Sequence, residues 1–304
     1  MPELPEVETV RRSLVGPLSG RRILALRVTD FPGVIGDEPV LQVAARLAGR
    51  VFTRARRRAK YLLLDLDDGS ALMVHLRMTG HLEVVPSGAP ALRFERLAIV
   101  LDDGHDLRFA DQRKFGRVLA LTAAEVRRLE RRFGPEPLGP RFTAGWLETA
   151  LARRPGKLKS VLLDQEVVAG LGNIYADEAL FRSRLHPERP ASGLSRKEIA
   201  SLHRAIRAVL REGVDRRGTT FSSYRDAAGA EGENQFNLRV YGRGGRESCP
   251  RCGWPLQRSV VGGRGPSPGP RCPRRPGDRR RNRLPTAPRP ASVPDRGRAE
   301  RRKP

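Results

Sequence analysis

The pattern of hydrophobic and polar residues divides the chain into an early part rich in short strands and a later part rich in helices. Residues 5–14 place Val7, Val10 and Leu14 at helical spacing after Pro5, which predicts a short first helix. Between residues 21 and 121, eight segments with strand-like composition are separated by Asp-Gly and Pro-Gly turn signals. So many short strands predict a β-sandwich or a barrel.

A helical part follows a hinge. Thr122 and Glu125 form a capping-box pattern before a short helix, and the segment FGPEPLGP at 133–140 ends that helix. Helical spacing then dominates, and Ser195 with Glu198 opens a long helix. Residues 218–236 are rich in Gly, Ser and Ala, which predicts a mobile loop.

These patterns predict an α+β protein of five parts. Its last part is rich in Arg and Pro and too poor in apolar residues to offset chain entropy, so we expect it to be disordered. The five parts are an N-terminal β-sandwich domain with flanking helices (1–132), the hinge (133–140), a helical domain (141–240), an incomplete zinc ribbon (241–272) and the tail (273–304).

Charge and composition narrow the function. The chain has 58 Lys and Arg against 34 Asp and Glu, a net charge of +24, which suggests a polyanionic partner. The segment 264–304 holds 14 basic and 3 acidic residues, which is less than half of the net positive charge, so the rest of the chain is basic as well. Three late cysteines suit a metal site in a reducing compartment better than a disulfide framework. Without an apolar run of membrane-spanning length or a signal pattern, we expect a cytoplasmic protein.

The N-terminus offers a nucleophile. Met1 precedes a small residue, and its removal would leave Pro2 with a free secondary amine. An α-amino group titrates near pH 8, so a useful fraction is neutral at physiological pH. Glu3 and Glu6 are candidate proton carriers beside it. In the alternative interpretation, Pro2 only starts a helix and the two acids complement its dipole.

Seven ordered segments resemble the formamidopyrimidine-DNA glycosylase family over about residues 1–265. They are MPELPEVETV, RRAKYLLLDL, MVHLRMTG, DQRKFG, GPEPLG, GLGNIYADEALF and VYGR, followed by a C-x-x-C pair. The related endonuclease VIII branch, which prefers oxidised pyrimidines, usually has Gly where this chain has Leu4, so the purine branch is favoured. The resemblance implies a helix-two-turns-helix domain within 141–240 and damaged double-stranded DNA in the cleft between two domains.

The resemblance also implies a bifunctional glycosylase and abasic-site lyase. Pro2 would attack the sugar C1′ of a flipped nucleotide, displace the damaged base and form an iminium, and elimination of the 3′ and then the 5′ phosphate would follow. Glu3 matches the acid that works on the opening sugar ring, and Lys60 matches a lysine that contacts phosphate near the lesion. Glu6 matches an acid near the base pocket.

An enzyme that extrudes a nucleotide must fill the space left in the duplex. Met78, Arg113 and Phe115 match the family's filling residues, with Arg113 reaching the orphaned cytosine. If the resemblance is left aside, the hydrophobic side chains of Met78 and Phe115 are predicted to lie in the core. Arg77 stands where the family often has Gly.

Further residues match the family's DNA contacts. Gly170 and Gly172 would let backbone approach a phosphate at a helix N-terminus. Residues 218–236 correspond to the loop that closes over the flipped base, beginning with Thr219 and Thr220. For His75 a structural role is the alternative. The expected contacts to phosphates are His75, Lys159, Asn173, Tyr241 and Arg264.

The zinc ribbon lacks one expected ligand. The family pattern needs four cysteines for one Zn²⁺, and this chain has Cys249, Cys252 and Cys272 with Gly269 at the third position. Water or Asp278 could complete a weaker site. One hypothesis for the Arg- and Pro-rich end is a shift of the coding frame near codon 265, and the alternative is a genuine basic tail that adds nonspecific DNA affinity.

The leading interpretation is a monomeric enzyme that excises 8-oxoguanine and formamidopyrimidines. The nearest alternative is a relative that prefers oxidised pyrimidines or abasic sites. A damage-binding protein without catalysis and a zinc-ribbon RNA-binding module are alternatives from other classes.

Overall fold

The first half of the chain folds into two four-stranded antiparallel sheets. The structure, a computed structural model, describes residues 1–245, 247–261 and 264–269, with side chains up to residue 256. One sheet has the strand order β1-β6-β7-β5 and the other β2-β3-β4-β8. The strands are β1 (Ile23–Val28), β2 (Phe52–Arg58), β3 (Tyr61–Leu66), β4 (Ala71–His75), β5 (Gly80–Pro86), β6 (Glu95–Leu101), β7 (His105–Asp111) and β8 (Arg117–Leu121).

The predicted β-sandwich and its eight strands are confirmed. Helix α1 (Leu4–Leu18) packs Val7, Val10 and Leu14 into the apolar core of the sandwich, as its spacing predicts. The hydrophobic pattern predicts neither the 3₁₀ turn at Pro32–Ile35 nor helix α2 (Val40–Leu47), which are both present. Only two residues of α2 are buried, so its apolar stripe is too short to stand out among strands.

The second half is helical. It contains α3 (Ala123–Arg131), α4 (Ala144–Ala152), α5 (Leu158–Leu162), α6 (Asn173–Ser183) and α7 (Arg196–Asp215), with a 3₁₀ turn at Ala191–Gly193. The capping boxes of α3 and α7 form as predicted, because Thr122 and Ser195 accept from the backbone of Glu125 and Glu198. The last four of these helices surround one apolar core. The mixed architecture agrees with the predicted α+β class, whereas the exact domain boundaries remain predictions.

The N-terminus joins the two halves. Leu4 is the first residue of α1, yet it is buried in the core of the helical part. Its backbone N–H donates to the carbonyl of Gly170 over 3.0 Å. Gly170 has a φ of +82°, and a Cβ there would lie 2.8 Å from that of Leu4, so glycine is required for this close approach. The start of the chain is therefore fixed against the loop that precedes α6.

The segment 218–236 is more ordered than its composition predicts. Ala227 packs into the sandwich core, and its N–H donates to Ser13 Oγ over 3.1 Å. The buried Asp226 accepts from the N–H groups of Ala228 and Ala230. A 3₁₀ turn follows at Asn234–Asn237. Polar side chains and the apolar contacts of Tyr224 and Ala227 hold this segment, and neither produces a regular period in the sequence.

The last described residues form a two-stranded hairpin of β9 (Gln257–Val261) and β10 (Arg264–Gly269). The hairpin continues past residue 265, where the composition changes. The two prolines of β10 are compatible with this, since β10 is an edge strand and a missing backbone N–H is tolerated there. Cys272, Asp278 and the tail 273–304 lie outside the described residues. Within the described ranges, no helix has the length and apolar character needed to cross a membrane.

Candidate active site

Glu3 connects the N-terminus to helix α6. It is buried, and its carboxylate accepts hydrogen bonds from the N–H groups of Ile174 at 2.8 Å and Tyr175 at 3.4 Å. These are unpaired donors of the first turn of α6, where a carboxylate also interacts favourably with the helix dipole. A Cβ on Gly172 would lie 2.3 Å from Glu3 Cδ, so this approach requires glycine.

The environment of Glu3 favours its protonated form. Burial raises its pKa to about 7, the nearby ammonium of Lys60 opposes this shift, and the Glu6 carboxylate adds to it. Pro2, the adjacent residue, is also buried. The carboxyl group beside the candidate nucleophile can therefore both give and take a proton near neutral pH.

Glu6 lies at the centre of a second buried cluster. Its carboxylate accepts from the Tyr175 hydroxyl and the Thr219 N–H, both at 2.7 Å, and from the Glu3 N–H at 2.8 Å. Asn234 Nδ2 donates to Thr219 Oγ1 over 3.0 Å. Burial raises the pKa of Glu6, and these donors oppose that shift. The cluster joins α1, α6 and both ends of the segment 218–236.

Lys60 is presented by a strained turn between β2 and β3. Ala59 has a φ of +54°, in the left-handed region that non-glycine residues rarely adopt. Its N–H donates to Glu136 over 2.7 Å, and its carbonyl accepts from Arg57 over 2.9 Å. Glu136 belongs to the hinge segment, so the hinge holds the turn that places the buried Lys60 near Glu3. The sequence alone does not single out Glu136, whose one signal is its place within GPEPLG.

The three candidate filling residues lie on two neighbouring loops of the sandwich. Met78 is 41% exposed and Phe115 is 50% exposed, so neither is a core residue. The Arg113 guanidinium lies 4.9 Å from the centroid of the Phe115 ring. Arg77, before Met78, has a φ of +53°, in the left-handed region that favours glycine.

Asp111 ties these two loops together. Its buried carboxylate accepts from the Thr79 hydroxyl at 2.5 Å, the Arg113 N–H at 3.2 Å and the Gly116 N–H at 2.7 Å. A single side chain at the end of β7 therefore sets the geometry of both loops. This role of Asp111 is not predicted from the sequence, although Asp111 is the first residue of DQRKFG.

His75 is buried and neutral. Burial, together with the charges of Arg77 and Lys60, lowers the pKa of His75 to about 3. Its Nδ1 accepts from the Arg77 N–H over 3.0 Å, which leaves the hydrogen on Nε2. Tyr61 packs against it edge-to-face at 4.5 Å between ring centroids. The residue has a structural role in the turn and keeps one donor for a ligand.

The residues expected to contact phosphates differ in their burial and in their hydrogen-bond partners. Asn173 opens α6 as predicted, and its Oδ1 is buried without a hydrogen-bond partner among the described residues, as expected of a group that meets a ligand. Tyr241 is partly buried beside it; burial raises the pKa of its phenol, and the hydrogen bond with the Asn173 side chain opposes that shift. Arg264 begins β10, and its side chain lies outside the described part.

Lys159 requires a correction. It was expected to contact a phosphate, but its side chain is fully buried and pairs with Asp177 at 2.8 Å. A buried ammonium stabilised by a carboxylate does not reach a phosphate in this conformation. Its role here is to join α5 to α6.

The described residues do not form a complete zinc site. Cys249 is buried and Cys252 is exposed, and a tight turn with Gly253 at a φ of +71° lies between Cys249 and Trp254. No group of three His, Cys, Asp or Glu residues that could hold a metal occurs in the described ranges. Two thiols are half of a tetrahedral shell.

The fold and the site define a class of two-domain protein in which a β-sandwich presents the N-terminus of the chain to a helical domain. The formamidopyrimidine-DNA glycosylase N-terminal domain profile matches residues 1–118, and the formamidopyrimidine-DNA glycosylase H2TH domain profile matches residues 133–225. The chain therefore belongs to the formamidopyrimidine-DNA glycosylase family.

Individual relatives agree with this assignment over most of the chain. The formamidopyrimidine-DNA glycosylase of Herpetosiphon aurantiacus is 50% identical, covering 86% of this chain and 95% of the relative. The crystal structure of the MutM (Fpg) protein from Thermus thermophilus is 42% identical with a TM-score of 0.78, covering 87% and 96%. The Lactococcus lactis Fpg in complex with a Fapy-dG containing DNA is 34% identical with a TM-score of 0.82, covering 90% and 100%.

Proposed function

We propose that this chain is a base-excision-repair enzyme that removes 8-oxoguanine and formamidopyrimidines from duplex DNA and then cleaves the abasic strand. Pro2, freed by removal of Met1, is the nucleophile. The observation that carries the proposal is the buried Glu3 carboxyl group, which follows Pro2 and is fixed to the first turn of α6. Binding DNA alone would not require a buried, partly protonated acid beside an N-terminal amine.

The reaction proceeds in two stages. The neutral Pro2 nitrogen attacks the sugar C1′, the damaged base leaves with the electron pair of the glycosidic bond, and the proton that the attacking amine loses passes to the departing base. Glu3 protonates the ring oxygen as the sugar opens, which yields an iminium between the Pro2 nitrogen and C1′. Loss of a proton from C2′ then expels the 3′ phosphate, and a second elimination expels the 5′ phosphate. Lys60 stabilises the developing negative charge near the lesion.

Extrusion of the nucleotide is assigned to the loops tied by Asp111. Met78 and Phe115 enter the space in the duplex, and Arg113 meets the orphaned cytosine. The exposure of both apolar side chains supports this role, because a folded protein gains little stability by leaving them in water. His75, Asn173, Tyr241 and Arg264 contact phosphates around the flipped nucleotide, and the segment 218–236 covers the base.

Zinc has no step in this mechanism. Cys249, Cys252 and Cys272 are the only cysteines, and the first two alone give an incomplete ligand set. The function of the hairpin is to present Arg264 to the DNA backbone. The proposed place of action is the bacterial cytoplasm, on chromosomal DNA.

The test is borohydride trapping of the full-length protein on 8-oxoguanine:cytosine and abasic duplexes, because borohydride reduces an iminium to a stable amine. The control is Pro2→Gly, which replaces the secondary amine by a primary one. We expect a covalent adduct on both duplexes, strongly reduced by the substitution. An adduct on the abasic duplex alone would limit the activity to strand cleavage. Tight binding without any adduct would overturn the enzymatic proposal in favour of a damage-binding protein.

A further inference from the structure

A pocket of about 630 Å³ lies between the sandwich and the helical part, along the hinge. It belongs neither to the N-terminal site nor to the loops of Met78 and Phe115. Helix α3 provides one wall, and the start of the helical part, with α4, provides the other. Its principal lining residues are Arg127, Arg131, Phe133, Pro135, Arg141 and Trp146.

Three arginines around this pocket lack a protein partner. Arg127, Arg131 and Arg141 are exposed, and none forms an ion pair or a side-chain hydrogen bond with any described residue. The first two lie four residues apart on α3, hence on one face of that helix. The acidic residue in the lining, Glu130, forms an ion pair with Arg56 and so does not neutralise these arginines. The pocket therefore carries an uncompensated positive charge that is spread over several positions.

The backbone groups of Gly134 and the indole N–H of Trp146, which line the pocket, are already hydrogen-bonded. The N–H of Gly134 donates to the carbonyl of Gln165 over 2.9 Å, and its carbonyl accepts from Arg58 over 2.8 Å. Trp146 is 40% exposed, and its indole N–H is fixed on the carbonyl of Val167 over 3.2 Å. The ring is thus held as a flat apolar surface without free donors.

We propose that this pocket binds an acidic peptide segment of a partner protein. Its carboxylates would meet Arg127, Arg131 and Arg141, and one aromatic or aliphatic side chain would lie on Trp146. A nucleobase gains less here, because the Trp146 indole N–H and the Gly134 backbone groups are already hydrogen-bonded and only the arginine donors remain for its polar edges. The occupant would bridge both sides of the hinge.

The probe is a labelled hexapeptide of five glutamates and one phenylalanine, with a matched peptide that has alanine in place of phenylalanine. Its binding to the full chain is followed by anisotropy at about 0.15 M salt, where long-range charge effects are screened. The chain has two tryptophans, so Trp254→Phe leaves Trp146 as the sole fluorescent reporter of the pocket. We compare Arg127→Gln/Arg131→Gln with a control of equal charge change, Arg204→Gln/Arg211→Gln on α7, whose two arginines are also exposed.

We expect the peptide to quench or shift Trp146 fluorescence and to bind at least fivefold more weakly to the α3 variant, with no change in the α7 variant. The alanine peptide should bind at least fivefold more weakly than the phenylalanine peptide. Borohydride trapping should be unchanged in the α3 variant. Equal losses in both arginine variants, or no response of Trp146, would overturn the proposal. Displacement of the peptide by an equally tight thymidine octanucleotide would identify a nucleic-acid site and overturn it too.

Discussion

The carboxylate of Glu3 accepts a 2.8 Å hydrogen bond from the backbone N–H of Ile174, 171 residues further along the chain. This bond fixes the acid beside Pro2 to the first turn of a helix in the other half of the protein. The chemistry of the N-terminus therefore depends on the relative position of the two halves. A change at either end of this bond should affect base excision before it affects overall folding.

The rate of base excision should depend on pH in a bell shape. Because Glu3 has a pKa of about 7, its acid form declines as pH rises, whereas the neutral amine of Pro2 increases up to about pH 8. The rate should follow the product of the fraction of protonated Glu3 and the fraction of neutral Pro2 amine. This product is nearly constant between about pH 7 and pH 8 and falls about tenfold per pH unit below and above that range. Single-turnover excision from an 8-oxoguanine duplex between pH 5.5 and 9.5 measures this profile.

The substitution Glu3→Gln identifies the alkaline limb of that profile. Glutamine cannot deliver the proton, so we expect a loss of about 10²- to 10⁴-fold at the optimum and no decline above pH 8. Glu8→Gln is the matched control on the same helix, since hydrogen bonds from Arg11 outweigh partial burial and lower the pKa of Glu8. An alkaline decline that persists in Glu3→Gln would assign the proton to another group.

Gly172→Ala should impair excision while the protein stays folded. The new Cβ would lie 2.3 Å from Glu3 Cδ, so the carboxylate must move from the N-terminus of α6. A displacement of about 1 Å can cost about 10²-fold in rate, and we expect a loss of 10- to 100-fold. Gly193→Ala is the control, because its Cβ would meet nothing within 4 Å. Equal rates in both variants would refute the positional role of Gly172.

Tyr175→Phe should destabilise the protein and loosen the segment 218–236. The Tyr175 hydroxyl donates to the buried Glu6 and contacts Thr219 at 3.2 Å, so its removal leaves a buried carboxylate with one donor fewer. We expect a loss of about 1–3 kcal/mol in urea unfolding and faster hydrogen exchange at the Thr219 amide. Tyr61→Phe should change stability by less than about 0.5 kcal/mol, since its hydroxyl bonds to no described group. Unchanged exchange at Thr219 would contradict the proposed coupling.

The elements that the sequence predicts well are those with a local signal. The capping boxes of α3 and α7 depend on residues three positions apart, and both form as predicted. The eight strands follow from alternation and turn residues, which are local as well. The pairing of Glu3 with Ile174 has no such signal, because it depends on packing between distant parts of the chain.

The residues whose roles are not predicted from the sequence are those that position other side chains and do not themselves contact the substrate. Asp111 and Glu136 touch no predicted reacting atom, yet they hold the turns of Met78, Arg113 and Lys60. From sequence alone, a carboxylate within a polar motif is predicted to be exposed to solvent, because the groups that donate hydrogen bonds to it are known only from the structure. Lys159 shows the limit of the resemblance, which implies a phosphate contact, because this side chain is buried and pairs with Asp177 in the structure.

Loss of Met78 and Phe115 together should weaken excision without affecting stability. Both side chains are largely exposed, so replacement by alanine should change the free energy of unfolding by less than about 0.5 kcal/mol. The space in the duplex would stay unfilled, and we expect at least a tenfold loss on 8-oxoguanine:cytosine. The loss should be smaller on an abasic site, which costs less to extrude. Leu41→Ala, at a position 84% exposed on α2, controls for the loss of surface apolar area.

The buried pair of Lys159 and Asp177 distinguishes a structural role from a DNA contact. Lys159→Met alone removes the ammonium that pairs with the buried Asp177 carboxylate and should cost about 3–5 kcal/mol of stability. Lys159→Met with Asp177→Leu replaces the pair by apolar groups and should recover most of that loss. A lysine that contacts phosphate contributes about one unit to the slope of log K against log salt. We expect the double variant to keep the slope of the wild type, and a slope reduced by about one unit would restore Lys159 as a phosphate contact.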